Sequence, residues 1–421
     1  MTRSLVTAFF RMCVRIFFRR IEMLGMERVP RGAVVFAVNH PNGLVDPLFL
    51  LCFAPAPVSF LAKAPLFGYP LIGWFVRAFD TIPVYRKQDN TSGSNEETFS
   101  RARAVLQHGG SIAIFPEGTT HDDPRLRELK TGAARIALGA NVTALTVVPT
   151  GIYYTAKHLF RSSALVIFGE PIAVEPLAVA GEPPAAEVAQ LTAAINAGLD
   201  SVTLQADSHV ALELIARAED IFTADDRQPL AEEFDLRRRF IDGYHYLCTR
   251  DPERLARLQA QIAQFEAELR RAKIDVHELR PRVGAARLFR LIVLLPLALL
   301  GAAVHYPTYR LVGFLARRFA KGEGNVLATM KFLGALALFP LTYAALAIAA
   351  GLYWNWIAAL AVAIVLPFLG YLALRVFEEF DDVIGDIRAV RHRMFRKYGH
   401  ARLVQQREAI REEFIAVARE L

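Results

Sequence analysis

Between residues 33 and 172 the chain alternates short apolar runs with segments of helical period. The runs AVVFAVN (33–39), PVSFLA (57–62), FDTIPVY (79–85), SIAIFP (111–116), ALTVVPTGI (144–152) and ALVIFG (164–169) are β-branched and almost uncharged, the pattern of strands buried on both faces. Between them, SNEETFSRARAVLQHGG (94–110) predicts a helix with a Ser94/Glu97 capping box and a glycine stop, and KTGAARIALGA (130–140) predicts a second. The alternation implies an α/β layered domain over 29–184, with a mostly buried sheet flanked by helices.

Elsewhere the period changes. Arg3, Arg11, Arg15 and Arg19 recur at four- and eight-residue spacings, with Phe9, Phe10, Val14, Phe17 and Phe18 largely on the rest of the helix. This predicts a basic amphipathic helix over 1–28 lying on anionic lipid; the plainer alternative is a surface helix packed on its own domain. From 185 to 286 Ala, Glu, Arg, Leu and Gln replace the strand formers. Asp251-Pro252 reads as N-cap and first helical position, followed by Leu255, Leu258, Ile262, Phe265 and Leu269 at 3-4 spacing, which predicts a packed helical hairpin.

From Phe332 to Leu374 no residue is charged, and the run is broken by Gly351 and Asn355 beside Tyr353, Trp354 and Trp356. Two spanning helices joined by a tight interfacial turn are expected at 331–376. The run LIVLLPLALLGAAV (291–304) is short for a span and contains a proline. A re-entrant or interfacial segment and a basic loop with Arg310, Arg317, Arg318 and Lys321 are therefore expected at 287–330. The basic tail at 377–421 is expected to be helical and cytoplasmic, on the side of the α/β domain.

Composition narrows the partners. A chain of 421 residues, 53% hydrophobic, has room for several cores and for a part in lipid. The net charge of +7 suits nucleic acid, an anionic membrane or an anionic substrate. The basic residues sit beside apolar segments and no nucleic-acid reader motif occurs, so membrane lipids are the expected partner and nucleic acid is not. Cys13, Cys52 and Cys248 are far apart and never in C-x-x-C spacing, so neither a disulfide framework nor a metal site is expected. Arginines interrupt the first 22 residues, which gives no secretory pattern and no expectation of export.

The first strand ends in Asn39-His40, and Asp46 follows six residues after the histidine. A histidine suits proton abstraction near neutral pH, and a nearby carboxylate can fix its tautomer and stabilise the imidazolium. With no enzyme nucleophile beside the pair, its natural client is a hydroxyl on the substrate. Taken alone, Asp46 before Pro47 reads equally well as a helix cap. Two further strands also end in polar groups, Arg86-Lys87 after FDTIPVY and Glu117-Gly118-Thr119-Thr120 after SIAIFP, and strand ends of an α/β sheet are where ligands sit. Arg86 can bind phosphate bidentately, and the turn after Glu117 can offer backbone N–H groups to an anion. No G-K-[ST], H-E-x-x-H or G-x-S-x-G occurs, which sets aside nucleotide hydrolysis, zinc proteolysis and a serine-hydrolase elbow.

The blocks NHPNGLVDP, IPVYR, FPEGTT and VVPTGI, in this order and at these separations, resemble the four blocks of the glycerolipid acyltransferase family, which includes glycerol-3-phosphate and lysophosphatidate acyltransferases. The resemblance covers roughly 30–175. It implies His40 as general base, Asp46 as its orienting carboxylate, Arg86 as ligand of the acceptor phosphate, and Glu117, Gly118 and Thr119 in the acceptor-binding block. Lys63 and Lys130 are further candidates for anion contacts, and Pro149 marks the fourth block. It also implies no cofactor beyond an acyl-CoA or acyl carrier protein co-substrate. The usual first block has four residues between His and Asp, whereas Pro41 to Val45 are five here. Asn42 or Gly43 at positive φ can absorb the extra residue. A similar spacing marks a branch resembling fungal glycerol-3-phosphate and dihydroxyacetone-phosphate acyltransferases, which also carry long C-terminal membrane segments. First-step acylation is therefore the expectation, with lysophosphatidate or another lysophospholipid as the alternative acceptor and a catalytically dead membrane scaffold as the non-enzyme alternative.

Overall fold

The computed structural model of the chain describes residues 2–68, 73, 76, 77, 79–85, 95–177, 182–224, 228–279, 284–320, 324–395 and 397–421. Arg86, Lys87 and the Ser94 cap lie outside these residues. The chain divides into two compact units, Met1–Gln205 with Ala320–Thr329, and Ala206–Phe319 with Met330–Leu421.

The first unit is built on an eight-stranded mixed sheet. At its centre β2 (Val34–Val38) is buried along its whole length and lies parallel to β5 (Ser111–Ile114) on one side and β6 (Leu145–Tyr154) on the other. Beyond β5 come β3 (Val58–Lys63) and β4 (Ile82–Val84), both parallel. On the other flank β7 (Ser163–Phe168) and β8 (Ile172–Val174) pair antiparallel with different halves of β6. The central runs lack polar alternation because helices cover both faces. Helices α1 (Thr2–Phe17) and α2 (Val45–Phe53) pack together, with Phe49 and the nearby Phe18 against Tyr154 of β6. On the opposite face α3 (Asn95–Gln107), α4 (Gly132–Ala140) and α5 (Ala185–Val202) pack in succession.

Three expectations about the edges of this unit are corrected. The N-terminal helix stops at Phe17, and Arg20–Leu24 forms a further strand, β1, parallel to β7. That strand is half-buried throughout and its ladder partner is over 140 residues away, so no local period marks it. Helix α1 does pack on its domain: Phe10, Val14 and Phe17 are buried, Arg3 donates to the Val58 carbonyl, and Arg11 donates to the Cys52 carbonyl. Its outward side carries Leu5, Phe9, Met12 and Ile16 together with Arg11 and Arg15. Finally, α5 belongs here and not to the helical region, because Val188, Leu191, Ile195, Leu199 and Val202 form one apolar face that packs on β6.

In the second unit α6 (His209–Thr223), α7 (Leu230–Arg250) and α8 (Pro252–Ala272) share a core with α12 (Lys397–Glu420), in which Leu247, Leu258, Ile262, Phe265, Leu403, Ile410 and Phe414 are buried. Asp251 caps α8 by accepting the Arg254 N–H, and Pro252 occupies the first turn. The buried Arg407 guanidinium donates to the Ile221 and Phe222 carbonyls at the end of α6, where a cation also meets the negative end of the helix dipole. A cavity of about 430 Å³ between α6, α7, α8 and α12 contains none of the predicted site residues.

Among the described residues three helices are long and apolar enough to cross a membrane: α9 (Ala285–Ala320), α10 (Gly324–Tyr353) and α11 (Trp356–Phe395). The short apolar segment and basic loop expected at 287–330 are instead the single helix α9, followed by the start of α10. It continues through Pro296 and Pro307 because no water is at hand in an apolar setting to replace broken backbone hydrogen bonds. His305 bonds the Gly301 carbonyl and the Tyr343 hydroxyl, and Thr308 bonds Thr342, polar pairs that hold α9 to α10. Asn355 accepts the Ala358 N–H and caps α11, which explains the tight turn after Tyr353.

Candidate active site

The site begins where β2 runs out. Asn39 accepts the Ile152 N–H at 2.7 Å and donates to the Ile152 carbonyl at 3.1 Å, extending the join between β2 and β6 by one residue. The chain then turns: the Asn42 carbonyl accepts N–H bonds from Val45 and Asp46, and Gly43 takes φ +37°. The extra residue between His40 and Asp46 is thus absorbed in a glycine turn leading into α2, and Asp46 in the first turn of α2 comes back to the histidine.

His40 Nδ1 lies 2.8 Å from Asp46 Oδ2. With the proton on Nδ1 donated to the carboxylate, Nε2 keeps its lone pair for a substrate proton. The imidazole stacks on Phe115, with ring centroids 4.0 Å apart, so its plane is held from a second strand end. Asp46 is wholly buried, and its carboxylate accepts from three protein donors: His40, the Asn42 N–H at 2.7 Å and the Tyr154 hydroxyl at 2.6 Å. A buried carboxylate held this way is fixed in direction.

Glu117, 3% exposed, follows β5 and holds the site from the other side. Its Oε1 accepts the His40 main-chain N–H at 3.0 Å, and its Oε2 accepts the Arg127 N–H at 3.1 Å and bonds His121 Nε2. Because the Asp123 N–H donates to His121 Nδ1, it is Nε2 of His121 that carries the proton given to Glu117. Both carboxylate oxygens therefore serve protein donors, and Oε1 anchors the backbone of His40. Gly118 has φ +71°, and its N–H closes the turn onto the Phe115 carbonyl at 2.9 Å. The Lys130 side chain crosses its Cα, where a Cβ would lie 2.5 Å from Nζ.

The predicted residues are therefore only partly gathered. His40, Asp46 and Glu117 form one hydrogen-bonded group, and Gly118 and Lys130 touch each other beside it. Thr119 bonds the neighbouring Thr120 carbonyl. Lys63 ends β3, exposed and in no ion pair among the described residues. Arg86 lies outside the described residues. Pro149 pairs with Ala37 in the central ladder, accepts the Gly169 N–H and packs against Gly198, a structural place under the site.

The sequence alone does not single out Tyr154, His121 or Lys157, and it marks Asn42 only as a turn residue. Tyr154 sits at the end of a strand, on the same face as Ile152, so a polar tip on a buried face was the available signal. His121 is four residues after Glu117, one residue past the FPEGTT block. Lys157 pairs with Asp122 and donates to the Pro41 carbonyl at 3.2 Å, and Asn42 donates to the Lys157 carbonyl, so these two tie the catalytic turn to neighbouring loops. The Leu44 N–H donates to Thr329 Oγ1 at 3.1 Å in the same unit.

Comparison with known proteins follows the same division. A family model described as Acyltransferase matches residues 20–153, and one described as Glycerol-3-phosphate acyltransferase 2 C-terminal domain matches residues 220–421. The chain is 30% identical to Glycerol-3-phosphate O-acyltransferase 2 of Saccharomyces cerevisiae, over 59% of this chain and 37% of that protein. It is 27% identical to Glycerol-3-phosphate O-acyltransferase 1 of the same yeast, over 78% of this chain and 58% of that protein. The chain thus spans less than two thirds of the length of either. It is also 30% identical to a chloroplastic 1-acyl-sn-glycerol-3-phosphate acyltransferase of Arabidopsis thaliana, over 37% of this chain and 44% of that one.

Proposed function

We propose that the chain is a membrane O-acyltransferase moving a fatty acyl group from acyl-CoA or acyl carrier protein to a hydroxyl of glycerol-3-phosphate or dihydroxyacetone phosphate, a reading supported by the two family models it matches and by its likeness to the yeast enzymes. The observation that carries the chemistry is the hydrogen-bonded group of His40, Asp46 and Glu117, with His40 Nδ1 engaged by a buried carboxylate. His40 Nε2 takes the proton from the acceptor hydroxyl as its oxygen attacks the thioester carbonyl. The C–S bond breaks, and the imidazolium returns the proton to the leaving thiolate. No covalent enzyme intermediate and no cofactor are needed; positioning supplies much of the rate.

The acceptor is argued from extent of similarity. Likeness to the two yeast glycerol-3-phosphate enzymes covers 59% and 78% of this chain, and the C-terminal match takes in the helical unit as well. Likeness to the Arabidopsis lysophosphatidate enzyme covers 37%. That favours glycerol-3-phosphate and keeps lysophosphatidate as the second reading. An intact dyad speaks against a dead scaffold. The catalytic domain faces the cytoplasm in this reading, on the strength of the basic residues flanking the apolar helices.

The deciding experiment reconstitutes the full chain in anionic vesicles and offers acyl-CoA and acyl carrier protein donors in parallel, with glycerol-3-phosphate or lysophosphatidate as acceptor. Acylated glycerol-3-phosphate is expected; a preference for lysophosphatidate moves the enzyme to the second acylation, and no acyl transfer to any acceptor overturns the proposal. Arg86→Ala is expected to raise the KM for glycerol-3-phosphate about tenfold or more, as loss of a charge-assisted phosphate contact would, with little change in kcat. An unchanged KM rejects Arg86 as the phosphate ligand.

A further inference from the structure

Asp46 has a donor on each oxygen, and only one side of it faces the catalytic histidine. Oδ2 receives His40 Nδ1 and the Asn42 N–H, while Oδ1 receives the Tyr154 hydroxyl at 2.6 Å. Tyr154 is at the far end of β6 from the Pro149 block, and its ring is gripped by Phe18, centroids 5.6 Å away and stacked, and by Phe49 at 5.8 Å. The ring is buried, and its hydroxyl meets the catalytic pair through the carboxylate. We infer that Tyr154 is a positioning residue that sets the basicity of His40 by sharing the charge of Asp46, and so sets the pH at which the enzyme becomes active.

A hydroxyl bonded to Oδ1 stabilises the carboxylate, and the more charge it draws, the less Asp46 attracts a second proton onto His40. Without that hydroxyl, Asp46 would hold the imidazolium more tightly, and His40 would be protonated, and useless as a base, up to a higher pH. The donor itself does not titrate in the working range: burial first, then the charge and hydrogen bond of Asp46, hold the Tyr154 phenol well above its ordinary range. Among the described residues, the other titratable groups bonded around His40 are Glu117, which takes its main-chain N–H, His121 behind Glu117, and Lys157 on the Pro41 carbonyl with its partner Asp122. Among the described residues none of these is hydrogen-bonded to the Asp46 carboxylate, so the Tyr154 hydroxyl bears on the dyad through its own bond to Oδ1.

The inference rests on His40 being the base, and the test separates the two. The full chain in anionic vesicles, with Tyr154→Phe and with 3,5-difluorotyrosine at position 154, is compared by the pH dependence of kcat/KM for glycerol-3-phosphate. Removing the hydroxyl is expected to move the acid limb up by about 0.5–1 pH unit, with most of the plateau rate kept. The fluorinated ring, a stronger donor of nearly the same shape, is expected to move it down, and it keeps the test open should the phenylalanine variant fold poorly. A uniform loss of rate with an unmoved limb in both variants assigns Tyr154 a packing role only and overturns the inference. Activity surviving in His40→Ala would overturn the base reading instead.

Discussion

His40→Ala is expected to lower kcat/KM for acyl transfer by about a thousandfold, the usual worth of a general base, while leaving the fold intact. The two halves of that expectation come from different bonds. Catalysis needs the ring, which meets Asp46 and Phe115. Folding needs the main-chain N–H, which alanine keeps and which still donates to Glu117. Removing the ring uncovers the Asp46 carboxylate, but the Asn42 N–H and the Tyr154 hydroxyl remain on it. The melting midpoint should therefore move by no more than a few degrees. Activity within about tenfold of the parent would remove His40 from the mechanism, and a collapsed fold would mean the ring is structural.

Gly151→Val should do the reverse, costing about 3 kcal/mol of stability through overpacking, enough to lower the melting midpoint by several degrees and solubility with it. Gly151 lies in β6 where the end of α5 comes down on the sheet, and a Cβ there would overlap the Val202 carbonyl. The partner approach is built the same way, since a Cβ on Gly198 of α5 would overlap the Pro149 ring. Backbone meets backbone, so no rotamer change relieves the clash. Thermal unfolding of purified variants checks this: a Gly151→Val protein as stable as the parent would mean that α5 does not pack on β6 as described.

How much of this was legible in advance depended on how local each cause is. Six strands between 33 and 172 could be read because each carries its own apolar run, and His40 with Asp46 because both sit in one short turn. The strand at Arg20–Leu24 could not, since its reason for being extended is the ladder with Ser163–Ile167. Helix α1 was legible as a helix, but which face turns inward is decided by Phe53, Val58 and Asp80, three segments away in sequence. The same holds at the site. The third donor to Asp46 comes from a residue 108 positions later, and nothing near either residue announces it. Glu117 was found for its place in a motif, whereas the structure shows its work: it grips the backbone of the base and is itself gripped by His121 and Arg127.

The core shared by α6, α7, α8 and α12 has a consequence for topology. Those helices flank the three apolar ones in sequence, with Leu279 before and Leu403, Ile410 and Phe414 after, yet their side chains pack in one cluster. Both flanks must then be on the same side of any bilayer, so the chain crosses an even number of times between them. Of the three apolar helices, all three cannot cross. The pair joined by the short turn at Trp354 and Asn355 has the there-and-back form that such an even count requires.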